Sequence, residues 1–282
     1  MLYPSGLYWP PRVAGMQSRR WPSADKDVRS VSEHLIVGSG ASRHAWKHSK
    51  RLAELPVIST NMLVPPGSRA VIIAPHPIDE VLGFGGLMQQ LAQLGRPLQL
   101  ISVTDGSASH PGSSSWPVER LSVIRPQESA EALRRLDLPL HSLQWIRGGF
   151  TDNAVAKQEE ALTDFIRRYL RTTDVVFTPW DHDGQCDHDA VGRATAKAVE
   201  SAGAQCHEVP IWAWHWAQPE DDLIPWQRAR KILLDPATVA RKRHAAHAFA
   251  SQLQGDPETG LLPELATPVL ERLLRPFEVV FL

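Results

Sequence analysis

The chain has 282 residues, and its 43% of hydrophobic residues are enough to build a large core. A formal net charge of −1 gives no reason to expect nucleic acid or an acidic membrane as a partner. No apolar run approaches the roughly 18 residues that a membrane-spanning helix needs, and two cysteines are too few for a disulfide framework, which favours a reducing, cytoplasmic setting.

Residues 1–30 are predicted to be a loosely ordered segment, and residues 31–282 a single domain. After a short helix near 45–55, apolar runs typical of buried parallel strands alternate with helical patterns. This alternation predicts an α/β fold with a mostly parallel sheet and helices on both faces. The predicted strands span 70–74, 98–103, 143–146, 175–178, 208–214 and 229–234. The predicted helices span 87–94, 118–136, 155–170, 189–202 and 237–253.

The helix predicted over 118–136 contains Pro126. Proline lacks a backbone N–H, and its ring would break or kink an established helix at a cost of about 3 kcal/mol. Pro126 is therefore an anomaly in this helix, tolerable only if the helix begins near it.

Two candidate metal ligands follow the first predicted strand directly. His76 and Asp79 are three residues apart in a loop that contains Pro77. Imidazole nitrogen and carboxylate oxygen both suit zinc. A lone pair of this kind is more often part of an ordinary loop, so it is a weak signal by itself.

A denser cluster follows the fourth predicted strand, where residues 180–189 contain two histidines and four aspartates. In parallel sheets ligands bind beyond the carboxyl ends of the strands, and both segments lie there. One imidazole from this cluster would complete three protein ligands and leave a position open, as in catalytic zinc sites. The alternative is a solvated acidic loop that caps the next helix through Asp187 or Asp189.

Together these segments resemble the PIG-L/LmbE-like metal-dependent N-deacetylases. The resemblance rests on four motifs in chain order and covers about residue 33 to the C-terminus. They are Ala74-Pro75-His76-Pro77-Ile78-Asp79-Glu80 with the following Gly83-Phe84-Gly85-Gly86, Thr104-Asp105-Gly106 with Ser109-His110-Pro111, Arg125 with Glu128, and Gly184-Gln185-Cys186-Asp187-His188.

The resemblance implies a Rossmann-like fold and hydrolysis of an acetamide, typically on an N-acetylglucosamine-type sugar or its conjugate. It also implies that His76, Asp79 and His188 hold the metal. Two imidazoles and a carboxylate favour Zn2+, although Fe2+ accepts similar ligands.

The sequence departs from the family at both proton-transfer positions. Ile78 replaces the aspartate that serves as general base, and Gln185 replaces the histidine that stabilises the oxyanion and delivers a proton. General acid–base groups contribute about 10²–10⁴-fold each, so the rate is expected to be impaired. The candidate substitutes are Glu80, His182, Asp183, Asp187 and His215.

Arg125 is the main candidate for contacting substrate, followed by Asp105 and His110, with His215 entering from another loop. For Arg125 a surface ion pair is a nearly equal alternative, and for His215 so is a packed histidine between tryptophans. Trp212, Trp214, Trp216 and Trp226 are core packing or, less favoured, a surface for stacking sugar rings.

Three hypotheses remain open. The chain is an N-deacetylase with shifted or impaired proton transfer, a catalytically inactive relative that binds an N-acetyl sugar or glycoconjugate, or an altered chain in which Ile78 and Gln185 were introduced. The intact ligand set favours the first hypothesis over binding alone.

Overall fold

Seven strands form one mixed sheet in the structure, a computed structural model that describes residues 40–256, 258–260, 263 and 265–282. The strand order is β3-β2-β1-β4-β5-β7-β6. The first five strands in this order are parallel, and β7 is antiparallel to both β5 and β6. The strands are β1 (Arg69–Ala74), β2 (Leu98–Thr104), β3 (Gln144–Phe150), β4 (Asp174–Pro179), β5 (Gln205–Val209), β6 (Ala229–Leu233) and β7 (Phe277–Phe281).

Helices connect these strands, and none of those in the described ranges is long and apolar enough to cross a membrane. A 3-10 turn over Val155–Gln158 leads into α7. The helices are α1 (Arg43–Lys47), α2 (Lys50–Glu54), α3 (Thr60–Leu63), α4 (Asp79–Leu82), α5 (Gly85–Gln93), α6 (Val118–Arg135), α7 (Glu159–Arg167), α8 (Cys186–Ala202), α9 (Ala213–Trp216), α10 (Pro236–Ala246), α11 (Ala250–Leu253) and α12 (Thr267–Leu273).

The sheet separates two hydrophobic cores. Along β1, Ala70 and Ile72 contribute to one core, while Val71 and Ile73 contribute to the other. This alternation is the period of two that a strand imposes on its side chains. Helices α5, α6 and α10 cover the first core, and α7 and α8 cover the second. The predicted α/β class, with a mostly parallel sheet and helices on both faces, is confirmed.

Strand order reverses between β1 and β4. The chain runs outward from β1 through β2 to β3 on one side of the sheet, and β5 follows β4 on the other side. The loops that leave β1 and β4 therefore meet at the carboxyl edge of the sheet, at the kind of switch point where ligands bind in open α/β folds.

The last strand, β7, lies between β5 and β6 and was not among the predicted strands. Its Glu278 accepts backbone hydrogen bonds from Gly86 at 2.7 Å and Leu87 at 2.8 Å, which caps the amino end of α5. The buried Lys242 side chain from α10 pairs with the same carboxylate at 2.5 Å. The end of the described chain thus fixes the helix that follows the His76 loop.

The strand predicted over 208–214 is wrong in its second half. Strand β5 ends at Val209, and Ala213–Trp216 is helical. Pro210 has no backbone N–H for a sheet. The following backbone N–H groups of Ile211 and Ala213 donate at 2.9 Å to the carboxylate of Asp183, which draws the chain into a turn.

Helix α6 spans Val118–Arg135, which confirms the helix predicted over 118–136, and it continues through Pro126 although it does not begin near the proline. Contacts on both sides of the proline hold the helix. Arg125 donates to the carbonyl of Gly106, and Glu128 accepts from the backbone and hydroxyl of Ser251 at 2.8 and 2.6 Å. Tertiary context of this kind routinely overrides local propensity.

Two predicted helices are each divided in the structure. The segment 45–55 forms α1 and α2, and 237–253 forms α10 and α11. The loosely ordered segment predicted for 1–30 lies outside the described residues.

Candidate metal centre

His76 and Asp79 lie on the tight connection between β1 and α4. The backbone N–H of His76 donates to Asp79 Oδ2 at 3.0 Å, and His76 Nδ1 lies 3.3 Å from the same oxygen. Asp79 is in the first turn of α4, where the helix dipole favours a carboxylate. Local hydrogen bonding thus brings the imidazole and the carboxylate of this loop to one point.

His188 reaches the same point from the first turn of α8. Its Nε2 lies 3.2 Å from Asp79 Oδ2, and its ring centroid is 5.4 Å from that of His76. One candidate ligand atom from each of His76, Asp79 and His188 lies within 4.8 Å of the other two. The three side chains form a donor set of two nitrogens and one oxygen, which suits zinc.

A buried carboxylate orients the His188 ring. His188 Nδ1 lies 2.7 Å from Asp183 Oδ2. The two Asp183 oxygens also accept backbone N–H groups from Ile211, Trp212 and Ala213 at 2.9, 2.7 and 2.9 Å. Since the carboxylate accepts from these groups, His188 Nδ1 carries a hydrogen, and Nε2, which faces Asp79, is the nitrogen that a metal would bind.

His76 has the same kind of support. Its Nε2 lies 3.1 Å from Asp187 Oδ2 and 3.3 Å from Asp152 Oδ1. Asp187 in turn accepts from the backbone of Asn153 at 2.8 Å and Val155 at 3.1 Å. Nε2 of His76 therefore carries a hydrogen, and Nδ1, which faces Asp79, is the nitrogen that a metal would bind.

His76, Asp152 and Asp187 form a second group whose atoms are also close enough to share an ion. Backbone N–H groups already occupy both oxygens of Asp187 and one of Asp152, which accepts from Ala108 at 2.7 Å. Both carboxylates therefore act first as supports for His76.

The charges of the site are unbalanced without a cation. Burial lowers the pKa of His188, but the carboxylates of Asp79 and Asp183 outweigh it and raise this pKa to about 9. Burial likewise opposes protonation of His76, yet the neighbouring carboxylates hold its pKa well above the ordinary value. Burial raises the pKa of Asp79, and the two imidazoles lower it far more. This excess of buried carboxylate fits a divalent cation.

Ile78 occupies a strained backbone conformation on the wall of the site. Its φ is 88° and its ψ is −27°, in the left-handed region, and its side chain is buried. A β-branched residue is a genuine outlier there, whereas aspartate and asparagine enter this region far more readily. The backbone therefore has the shape that suits a short polar residue, but the side chain cannot take part in proton transfer.

Gln185 is the N-cap of α8. Its Oε1 accepts the backbone N–H of His188 at 2.8 Å, so the side chain stabilises the helix that carries this histidine. The capping role predicted for this acidic loop thus belongs to a glutamine, with Asp187 and Asp189 in the first turn.

A cavity of about 130 Å³ opens beside these residues. Arg125 is almost fully buried on its wall, not in a surface ion pair, and its Nη1 donates to the carbonyl of Gly106. Apolar groups form much of the remaining wall. The residues that line the cavity include His76, Ile78, Asp79, Arg125, Asp152, Gln185, His188, Ile211, Trp212 and His215.

Several residues predicted at the site do not line this cavity. Asp105 forms an ion pair with Arg147 at 2.7 Å. His110 is buried next to Trp116. His182 is largely exposed beside Asp181. Asp187 does not line the cavity either, because it lies fully buried behind His76.

Asp152 and Asn153 line the cavity and were not singled out from the sequence. They follow β3 at the same edge of the sheet as the other loops. Their position beyond the carboxyl end of a strand was the available signal.

Residues 71–199 match the family model of PIG-L, described as GlcNAc-PI de-N-acetylase. The predicted resemblance to PIG-L is confirmed. The matched segment contains the three candidate ligands and the carboxylates that support the two histidines, which are Asp152, Asp183 and Asp187.

Solved deacetylases share the PIG-L-like fold of the chain. A deacetylase–teicoplanin complex from the teicoplanin biosynthesis pathway is 18% identical, with a TM-score of 0.56 over 76% of this chain and 97% of the other. The A40926 pseudoaglycone deacetylase is 23% identical, with a TM-score of 0.53 over 76% and 96%. The zinc inhibited form of teicoplanin deacetylase is 18% identical, with a TM-score of 0.53 over 76% and 97%. No curated protein matches the chain.

Proposed function

We propose that the chain is a metal-dependent hydrolase that removes the acetyl group from an N-acetylated amino sugar or its conjugate, at a rate limited by its altered proton-transfer positions. The convergence of His76, Asp79 and His188 carries the proposal. A buried carboxylate orients each imidazole so that its other nitrogen faces Asp79, which is how histidine ligands are commonly held in metal sites.

His76 Nδ1, Asp79 Oδ2 and His188 Nε2 would hold the ion, with zinc favoured and iron as the alternative. A zinc ion bound there would supply a Lewis acid and lower the pKa of a water molecule. Three protein ligands leave a position open, as a catalytic site requires.

Asp152 is the carboxylate left to accept a proton at the cavity wall. The described lining contains two carboxylates, and Asp79 is committed as a ligand. Burial raises the pKa of Asp152, but the hydrogen bond and charge of His76, the backbone N–H of Ala108 and the charge of Arg125 together outweigh burial and lower this pKa, so the group is ionised at neutral pH. A carboxylate with a lowered pKa is a weak base, which agrees with a slow enzyme.

The N-acetyl sugar is proposed from two sources. The matched family is described as acting on an N-acetylglucosamine conjugate, and the solved structures of similar fold include a deacetylase in complex with teicoplanin. The cavity also offers apolar groups such as Ile211 and Trp212 for an acetyl methyl group, next to the buried charge of Arg125.

Binding without catalysis is the second candidate. It is favoured by Ile78, which buries an apolar side chain where a base would act, and by Gln185, whose amide oxygen is occupied as a helix cap.

Restoring the proton-transfer groups separates the two candidates. Acetate release from a panel of N-acetylglucosamine conjugates would be measured for the unmodified chain, Ile78→Asp, and Ile78→Asp with Gln185→His. Ile78→Asn is the matched control, because asparagine also tolerates the left-handed conformation but is not a base. We expect Ile78→Asp to raise the rate by about 10²–10⁴-fold, and Ile78→Asn to leave it unchanged.

An equal gain in Ile78→Asp and Ile78→Asn would attribute the effect to relief of strain and contradict the proposed role of this position. No hydrolysis by any zinc-loaded variant would reject the deacetylase and favour binding.

A further inference from the structure

His215 offers a second functional group at the cavity. It lies on α9, beyond β5, with 1% of its surface exposed, and it is one of the residues that line the cavity. Its Nε2 has no hydrogen-bond partner within the described chain. An unsatisfied buried polar group costs about 1–3 kcal/mol, so its presence at a cavity wall suggests a ligand that completes it.

Arg272 determines which nitrogen of His215 carries the hydrogen. Arg272 Nη1 lies 3.2 Å from His215 Nδ1. A guanidinium can only donate, so Nδ1 must accept and the hydrogen lies on Nε2. The edge of Trp212 against the ring, with centroids 4.8 Å apart, fixes its orientation.

The surroundings also keep this imidazole neutral. Burial is the main cause, followed by the charges of Arg272 and Arg275, and together they lower the pKa of His215 to about 3. The charges of His188 and Asp79 act on the same pKa in opposite directions, which places the ring within electrostatic range of the candidate ligands.

The two other histidines that line the cavity are already committed. His76 and His188 each face a buried carboxylate with one nitrogen and Asp79 with the other. His215 Nε2 is therefore a preorganised neutral donor, the kind of group that binds a carbonyl oxygen and stabilises charge developing on it.

We propose that His215 is a further catalytic residue, whose Nε2–H donates a hydrogen bond to the acyl carbonyl oxygen of the bound N-acetyl group. This assignment rests on the proposed function for its ligand class. The oxyanion-stabilising role would then belong to a residue on a different loop from Gln185. Gln185 stands at the position where the family resemblance implies a histidine with this role.

The first test is imidazole ¹⁵N NMR of the unmodified zinc-loaded chain. N-acetylglucosamine is the probe, and glucosamine is the control that lacks the acyl carbonyl. We expect the spectrum to show the Nε2–H form of His215, and its Nε2 and proton signals to shift with N-acetylglucosamine but not with glucosamine. No shift at the highest soluble probe concentration, or equal shifts with both sugars, would overturn the proposal.

Substitution supplies the second test. His215→Phe removes the donor but keeps a planar ring, and His215→Gln restores an N–H donor. We expect His215→Phe to weaken N-acetylglucosamine binding about 10-fold, as the loss of one good hydrogen bond implies, and His215→Gln to recover part of it. Zinc content and the unfolding temperature check that both variants are folded. Unchanged affinity in folded, zinc-loaded His215→Phe would overturn the proposal.

These outcomes are independent of the proposed hydrolysis. If the His215 signals shift with N-acetylglucosamine but the Ile78→Asp variant releases no acetate, the donor role of His215 is supported and the deacetylase function is rejected. If Ile78→Asp releases acetate but the His215 signals do not shift, the deacetylase function is supported and the donor role of His215 is rejected.

Discussion

The ligand region and the proton-transfer region of this site differ in how their side chains are supported. Each candidate histidine ligand is held by a buried carboxylate, and each of those carboxylates is held by backbone N–H groups from another loop. At the proton-transfer positions, Ile78 keeps a backbone shape suited to a different side chain, and Gln185 serves as a helix cap. A ligand set depends on a network of several loops, whereas a base depends on one side chain.

Removing a ligand should have the largest effect. We expect protein purified without added metal to contain about one zinc or iron per chain, and His188→Ala to contain none, because three protein ligands are the minimum of a zinc site of this class. Metal content by elemental analysis measures this. His182→Ala is the matched control, since that histidine is exposed in the same loop. Equal metal content in His188→Ala and the unmodified chain would reject the centre.

Weakening a supporting carboxylate should have a smaller effect. Both oxygens of Asp183 accept N–H groups, so the amide NH2 of Asp183→Asn must face a donor whichever way it turns. We expect zinc affinity to fall about 10–100-fold in competition titrations. Asp181→Asn is the control on the same loop. An unchanged affinity would show that the carboxylate stabilises the fold without tuning the ligand.

The charge imbalance predicts a pH dependence of zinc binding. Burial lowers the pKa of His188, but Asp79 and Asp183 raise it to about 9, so the metal-free site holds a proton at neutral pH that zinc must displace. Affinity should therefore fall about 10-fold per unit as the pH drops from 9 to 7 for each proton released. Calorimetry in two buffers of different ionisation enthalpy counts these protons, and a count of zero would contradict the assignment.

Substitutions at the strained backbone of Ile78 should give the smallest effect. At this position glycine should be more stable than alanine, which reverses the usual order. A protein with glycine inside a helix or strand is usually less stable than the same protein with alanine there, by about 0.5–1 kcal/mol. At φ 88° the order should invert, because the left-handed conformation costs a residue with a Cβ about 1–2 kcal/mol. We expect Ile78→Gly to exceed Ile78→Ala in free energy of unfolding, measured by urea denaturation. Ala92→Gly within α5 is the control and should destabilise in the usual way.

The sequence was sufficient to predict the α/β class and the family resemblance, because buried strands and motif order are local signals. It missed Asp152 for a physical reason. The predicted strand stopped at residue 146, whereas β3 continues to Phe150 through Gly148 and Gly149, the latter with a φ of 67°. Glycines obscure the alternating pattern of a strand, so the sequence does not indicate that Asp152 follows the true end of β3.

Other parts of the site depend on contacts that no local pattern reveals. Asp105 and His110 follow β2, as the motifs implied, but Asp105 turns to Arg147 and His110 packs near Trp116. The support of His188 requires the backbone N–H groups of Ile211 and Ala213, more than twenty residues along the chain from Asp183. Side-chain direction and long-range pairing are set by tertiary packing.

The place of β7 between β5 and β6 has a consequence for the order in which the molecule is assembled on the ribosome. The parallel strands β1 to β5, with the loops that carry the candidate ligands, are all translated before β7. Apart from the single bridge between Lys231 and Val57, strand β6 has no partner strand until β7 emerges, and Glu278 then caps α5 and neutralises Lys242. A nascent chain would therefore carry largely unpaired strand edges and a lysine without its partner until β7 has been translated, and this interval is when it is most exposed to aggregation.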